Sequence, residues 1–210
     1  MKLVSDSLVD QAPIAPEFAF GIPDDRDGMA LGTNRNPHIA WEGVPVGTRS
    51  LVLLCYDPDV PSRADDVNQP GRTVPASLPR VDFFHWVMVD IDPHLPGIAA
   101  ASCSAAVTPG GKRTPNGPEG SRQGINDYTG FLEGDAQLGG RYFGYDGPCP
   151  PWNDEIVHHY YFVLYATDLA RCPVEGEFTG AQVRAAIEGH VLAEDRIVGL
   201  YTLNPAVSLD

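Results

Sequence analysis

The sequence predicts a mainly β, single-domain protein with one helix near its C-terminus. Three observations carry that prediction: compact apolar runs rich in β-branched and aromatic residues, abundant glycine and proline between them, and one capped amphipathic segment.

Residues 1–36 are turn-rich, with Pro13, Pro16, Pro23 and the acidic run Asp24-Asp25-Arg26-Asp27. His38-Ile39-Ala40-Trp41 reads as a strand opening. Leu51–Tyr56 is an apolar run closed by Asp57-Pro58, Phe83–Ile91 a second closed by Asp92-Pro93, and His158–Ala166 a third. Each is too short for a typical helix, and its unbroken apolarity indicates a strand covered on both faces. Between 94 and 157 Gly, Pro, Asn and Asp dominate. A structureless stretch of that length is unusual in a compact domain, so Gly139–Gly147 is expected to hold short strands or a lid over a site. Gly110-Gly111, followed by Lys112 and Arg113, reads as a mobile loop.

Thr179 lies three residues before Gln182, as a capping box requires, and Phe178 is placed to staple onto Val183. Val183, Ile187 and Val191 then recur on one helical face, while Gly189 weakens the helix by about 1 kcal/mol relative to alanine. A last strand follows over Arg196–Leu203. No internal repeat and no linker divides residues 1–210, which read as one domain.

The chain carries 28 acidic and 14 basic residues, a formal net charge of −14. The acidic groups are scattered, which suits solubility. A field of that sign repels nucleic acid and anionic membranes, so a nucleic-acid partner is not expected. Cys55, Cys103, Cys149 and Cys172 are widely spaced, without zinc-type clustering, and are read as thiols rather than a disulfide framework. The N-terminus lacks the apolar core of a signal peptide, and no apolar stretch approaches the ~20 residues of a membrane span. The expected location is the cytoplasm.

Chemistry is sought where polar groups interrupt the apolar runs. Asp57 shares strand parity with Leu51, Leu53 and Cys55, which aims its carboxylate inward, and Pro58 and Pro61 stiffen a sharp turn after it. In the alternative, Asp57 and Asp59 cap turns and pair with Arg63. Alternation groups His85 with Val87, Val89 and Ile91, opposite Phe84, Trp86 and Met88; a hydrogen-bonded core histidine is the competing reading. His158 goes with Tyr160 and Phe162, and His159 with Tyr161 and Val163 on the other face, so only His158 can face His85. Gly147-Pro148-Cys149-Pro150-Pro151-Trp152 is a stiff, aromatic-tipped loop. There is no G-x-S-x-G elbow, Walker loop or H-E-x-x-H pair.

Taken together, Asp57-Pro-Asp-Val-Pro-Ser-Arg63, His85-Trp-Val-Met-Val-Asp-Ile91, and Gly147-Pro-Cys-Pro-Pro151 with His158-His-Tyr-Tyr-Phe-Val-Leu-Tyr-Ala166 resemble the signatures of the phosphatidylethanolamine-binding protein family. The match extends over roughly residues 15–207, and the nearest branch is the bacterial Raf-kinase-inhibitor-like group. The resemblance implies a large central antiparallel sheet, a smaller sheet and peripheral helices. It also implies a pocket for phosphate or a phospholipid head group, with Asp57, Pro61, His85, Pro150, Pro151, His158 and Tyr160 as ligand-binding residues and Asp59 and Trp86 in support. This chain departs from the family's H-R-Y in reading His158-His159-Tyr160, and its segment 108–147 is long enough to reshape the pocket mouth.

The expected function is therefore a binding module in which His85 and His158 donate hydrogen bonds to a small anion, while Asp57 orients an imidazole or takes a ligand amino group. The alternative is a hydrolase or metal-dependent enzyme using Asp57, His85 and His158. A third reading is a regulatory protein acting on a partner through the long loop. No catalytic residue, cofactor or metal is assigned; a homodimer and a protein partner stay open.

Overall fold

The computed structural model describes residues 1–209. Ten strands and two α-helices follow in the order β1 (Lys2–Val4), β2 (Ala12–Pro13), β3 (Gly21–Asp24), β4 (Gly28–Leu31), β5 (Ala40–Glu42), β6 (Ser50–Pro61), β7 (Arg80–Ile91), β8 (Arg122–Gln123), α1 (Tyr128–Phe131), β9 (His158–Thr167), α2 (Gly180–Ala186) and β10 (Val191–Tyr201), with a 3-10 turn at Pro16–Phe18. The three long apolar runs form β6, β7 and β9. With β10 they dominate a six-stranded sheet of order β2-β10-β9-β6-β7-β8. Its pairs are antiparallel except β2, which runs parallel to β10, so the sheet is mixed rather than wholly antiparallel. Two further sheets have two strands each, β1-β5 and β3-β4.

The unbroken apolarity of the central strands has the expected cause: both faces are covered. On one face Leu51, Leu53, Cys55, Trp86, Met88, Phe162 and Leu164 pack against Leu8, Ile14, Phe18, Ile39 and Trp41 from the N-terminal segment. On the other, Val52, Leu54, Phe84, Val87 and Val89 lie beneath Val183 and Ile187 of α2 and Cys172, Val174 and Phe178 before it. Each such side chain removed from water stabilises the fold by about 1.5–3 kcal/mol. The four cysteines are free thiols.

The capping box forms in full: Thr179 Oγ1 accepts from the Gln182 amide, and Gln182 Oε1 accepts from the Thr179 amide at 2.9 Å. The helix then stops earlier than its spacing suggested. Ile187 is its C-cap and Gly189 sits at φ +79°, a left-handed turn that reverses the chain. Val191 is thereby the first residue of β10, exposed, and not part of a helical stripe. That strand begins at Val191 rather than Arg196 because its first half pairs with β9 while facing solvent.

Two other expectations need correction. Asp57-Pro58 does not end β6: the strand continues to Pro61, with a register shift between Asp57 and Val60 where Pro58 has no amide to donate. Gly139–Gly147 packs into the body of the protein instead of lining the cavity, and holds no strand beyond the isolated bridge of Phe143 to Ile125. Tyr142 and Tyr145 are buried, and the Tyr145 hydroxyl donates to the Phe18 carbonyl at 2.6 Å. Gly111 sits at φ +79° against the Arg141 carbonyl, where a Cβ would come to 2.1 Å, so the Gly110-Gly111 pair lets two backbones close-pack.

Candidate functional site

A cavity of about 280 Å³ opens at one end of β6, β7 and β9, lined by Asp57, Pro61, His85, Pro150, Pro151, His158 and Tyr160 among others. Those seven are the residues the sequence singled out. Val60, Val67, Phe83 and Phe131 add an apolar rim, and Arg63 stands at the mouth. A larger groove of about 440 Å³ lies near Arg122, whose guanidinium is already bound by Asp90 and the Cys172 and Val174 carbonyls.

His85 reaches the pocket through a β-bulge. Cys55 pairs with Trp86 and Tyr56 with Phe84, so His85 is an extra residue on β7. The bulge breaks the alternation read from the sequence. Phe84 joins Val87 and Val89 beneath α2, whereas Trp86 and Met88 join the opposite cluster, and the His85 ring stands edge-on to Tyr160 at 5.1 Å. A second shift between Leu51 and Leu53, with Asp90 at φ +60°, brings Ile91 into the Trp86 cluster as well. The His85 ring is held by a hydrogen bond between Nδ1 and the Asp146 carbonyl at 2.8 Å. Burial, only partly offset by the Asp57 charge and the Asp146 carbonyl, lowers its pKa from 6.5 to about 4. The ring is therefore neutral at neutral pH, with the proton on Nδ1.

His158 is placed differently. Its Nδ1 bonds Asp57 Oδ2 at 2.6 Å and its Nε2 bonds Asp154 Oδ2 at 3.1 Å, with the ring fully buried. Burial acts to lower its pKa, but the Asp57 charge and the bonds to Asp154 and Asp57 outweigh it and raise the value to about 9. It is an imidazolium clamped between two carboxylates. Asp154 in turn takes two hydrogen bonds from Arg80, at 2.5 and 3.0 Å. Two cations thus face two carboxylates, which is how a charged group tolerates this much burial.

This network changes the part His158 can take. With both nitrogens engaged it has no N–H to donate to a ligand, no lone pair for a metal and no capacity to act as a base. Among the described residues no group of three or more His, Cys, Asp or Glu side chains could hold a metal ion. Asp57 does orient an imidazole, and it also accepts from the Asp59 amide at 2.8 Å. It does not pair with Arg63, which is exposed and 3.7 Å from Asp65.

Asp59 and Trp86 lie outside the cavity. Asp59 takes both the backbone N–H and Nδ1 of His159, on the far face of β9, at 2.9 and 2.8 Å. Trp86 is a core residue whose Nε1 donates to Gln123 at 2.7 Å. The Tyr160 hydroxyl, by contrast, is buried in the pocket wall without a partner in hydrogen-bond geometry. Burial, the nearby Asp57 charge and hydrogen bonding to Asp57 push its pKa well above the ordinary value, so it is a protonated donor beside that carboxylate.

Sequence reasoning missed Asp154, Asp146 and Lys112. Asp154 is one acidic residue in a turn-rich stretch, and its contacts with Arg80, 74 positions away, and with His158 reveal it. Asp146 and Lys112 form a part-buried ion pair at 2.7 Å in the segment read as a loop. An acidic residue just before the Gly147 motif was the available signal for the first; nothing marked the second.

The comparisons agree with this architecture. The family model described as Phosphatidylethanolamine-binding protein matches residues 4–202. A UPF0098 protein of Methanothermobacter thermautotrophicus is 35% identical over 170 residues, covering 81% of this chain and 84% of its own length. The UPF0098 protein YbhB of Escherichia coli is 29% identical over 203 residues, covering 96% and 100%. Among solved structures, Escherichia coli YbcL, described as a member of the mammalian PEBP family, superposes with a TM-score of 0.68 at 25% identity over 96% of this chain and 97% of its own. CT736 of Chlamydia trachomatis, at 23% identity and a TM-score of 0.63, shares the fold.

Proposed function

The chain belongs to the phosphatidylethanolamine-binding protein family, and from that premise we propose that its pocket binds a small phosphate-bearing anion such as inorganic phosphate or a phospholipid head group. The observation that carries this reading is the Tyr160 hydroxyl, buried in the pocket wall and bonded in good geometry by no described residue. The Asp57 carboxylate lies beside it, and a ligand oxygen of better geometry can take its proton instead. The surroundings suit such a ligand: a concave floor with Tyr160 and His85, Asn68 at the wall, an apolar rim, and the exposed Arg63 at the mouth to attract an anion. His158 contributes to the wall and to the charge balance, not a hydrogen bond to the guest.

Calorimetric titration with inorganic phosphate and phosphoethanolamine tests the reading. Saturable one-site binding is expected for the wild type. Loss of one hydrogen bond in Tyr160→Phe weakens it by up to about tenfold, and His85→Ala weakens it further. If the ligands bind all three proteins alike, the pocket assignment is wrong.

A further inference from the structure

Resting on the anion-site reading above, we propose that the pocket floor selects a ligand that carries its own hydrogen-bond donor. The class is a hydrogen phosphate or phosphomonoester bearing a P–OH, in preference to sulfate or a phosphodiester.

The count of donors and acceptors on the floor sets this preference. Asp146 binds His85 twice through its backbone: its carbonyl takes the Nδ1 proton at 2.8 Å and its N–H donates to the His85 carbonyl at 3.0 Å. Asp146 is itself immobilised, since its fully buried carboxylate receives Lys112 Nζ at 2.7 Å, Asn34 Nδ2 at 2.7 Å and Asn126 Nδ2 at 2.8 Å. It is a positioning residue that fixes the His85 tautomer. Nε2 keeps its lone pair, and no described residue donates to it. Beside it, the Asp57 oxygens accept one bond each, from the Asp59 amide and from His158, and retain further acceptor capacity.

Facing His85 are Asp57 from β6, His158 and Tyr160 from β9, Tyr128 from α1 and the Asp146 and Gly147 carbonyls. Among these, Tyr128 donates to the Gly147 carbonyl at 2.7 Å, and the Tyr160 hydroxyl, bonded in good geometry by no described residue, lies beside the Asp57 carboxylate. The floor therefore presents two acceptors, His85 Nε2 and the Asp57 carboxylate, and one donor, the Tyr160 hydroxyl, which Asp57 already draws. A fully ionised oxyanion sets lone pair against lone pair at both acceptors, whereas a P–OH turns its proton to Nε2 or Asp57. Taking a proton from water onto His85 instead is opposed by burial, which lowers the ring to about 4. Sites built to pair a ligand hydroxyl reject analogues that lack it far more strongly than apolar pockets reject a missing methylene.

The test titrates the wild-type protein at pH 6 with inorganic phosphate, methyl phosphate, dimethyl phosphate, sulfate and glycerophosphoethanolamine. Phosphate and methyl phosphate are expected to bind comparably, with sulfate and dimethyl phosphate weaker by at least about tenfold. Sulfate binding as tightly as phosphate overturns the donor requirement while leaving the anion site intact. No binding by any of the five overturns the anion site itself. Glycerophosphoethanolamine separates lipid head group from free phosphate: binding tighter than methyl phosphate overturns the P–OH in favour of the ammonium. In His85→Gln the amide can turn its NH2 to the ligand, so the preference for phosphate over sulfate is expected to shrink severalfold. Should that variant not fold, ¹⁵N spectra of the wild-type histidines decide: a lone-pair Nε2 in His85 supports the proposal, and a protonated Nε2 overturns it.

Discussion

Arg80 reaches across from β7 to grip Asp154 with two hydrogen bonds, and through that carboxylate it fixes the imidazolium of His158. The pocket wall is thus held by a chain of alternating charges, Arg80–Asp154–His158–Asp57, in which each member neutralises the next.

Removing the middle of that chain is expected to be severe. Asp154→Ala leaves Arg80 part-buried without its carboxylate and strips His158 of one partner, a loss of about 3–5 kcal/mol. Urea unfolding at pH 7 measures it; a loss below about 1 kcal/mol would show that the network contributes little.

Stability should peak near pH 6.5 as far as the two pocket histidines are concerned. His158 is raised to about 9, so its contribution is complete below 6.5 and disappears as the pH climbs towards 9, on the order of 3 kcal/mol. His85 is lowered to about 4, so the native state loses stability as the pH falls from 6.5 to 4, because only the unfolded chain then takes the proton. Denaturation midpoints against pH should show both limbs, and His85→Gln should flatten the acid limb alone.

Two glycines of equal φ should respond unequally. Gly111 and Gly189 both lie at φ +79°, but a Cβ at Gly111 meets backbone atoms of Arg141 and Tyr142 whereas one at Gly189 meets open space. Gly189→Ala is expected to cost about 1 kcal/mol from backbone strain alone, and Gly111→Ala distinctly more. Equal costs by chemical denaturation would mean that the 108–147 segment yields easily.

Native thiols should be unreactive. Burial pushes Cys149 to about 12 and Cys55 well above its ordinary value, so neither supplies appreciable thiolate at pH 8. An aromatic disulfide reagent is expected to modify Cys55 rapidly only after unfolding, and Cys149, which lines the cavity, slowly in the native protein for want of thiolate. Rapid reaction of Cys55 in the native protein would contradict the closed packing around it.

Most of this fold could be read from local sequence because its causes are local. Apolar runs make β6, β7 and β9 wherever they pair, and the Thr179–Gln182 box is closed within one turn. The site was legible only in part. Asp57 and His158 keep strand parity, so reading the alternation placed them on the pocket side. The bulge at His85 depends on how β7 pairs with β6, which no window along β7 reports. Asp154 and Asp146 depend on Arg80 and Lys112, remote partners whose charges carry no periodic signal. Val191 had the right spacing for the wrong reason, since Gly189 had already turned the chain.

The bulge on β7 also sets what kinds of change the site can absorb. Side chains upstream and downstream of His85 follow opposite parities, so one strand serves the pocket at one end and the hydrophobic interior at the other. Substitutions respect that arrangement, but deleting one residue just before Phe84 and closing the bulge would swap the parities, sending Phe84 towards the pocket and the His85 imidazole beneath α2. For anyone rebuilding this site, or tracing its ancestry, residue count along β7 is a stricter constraint than residue identity.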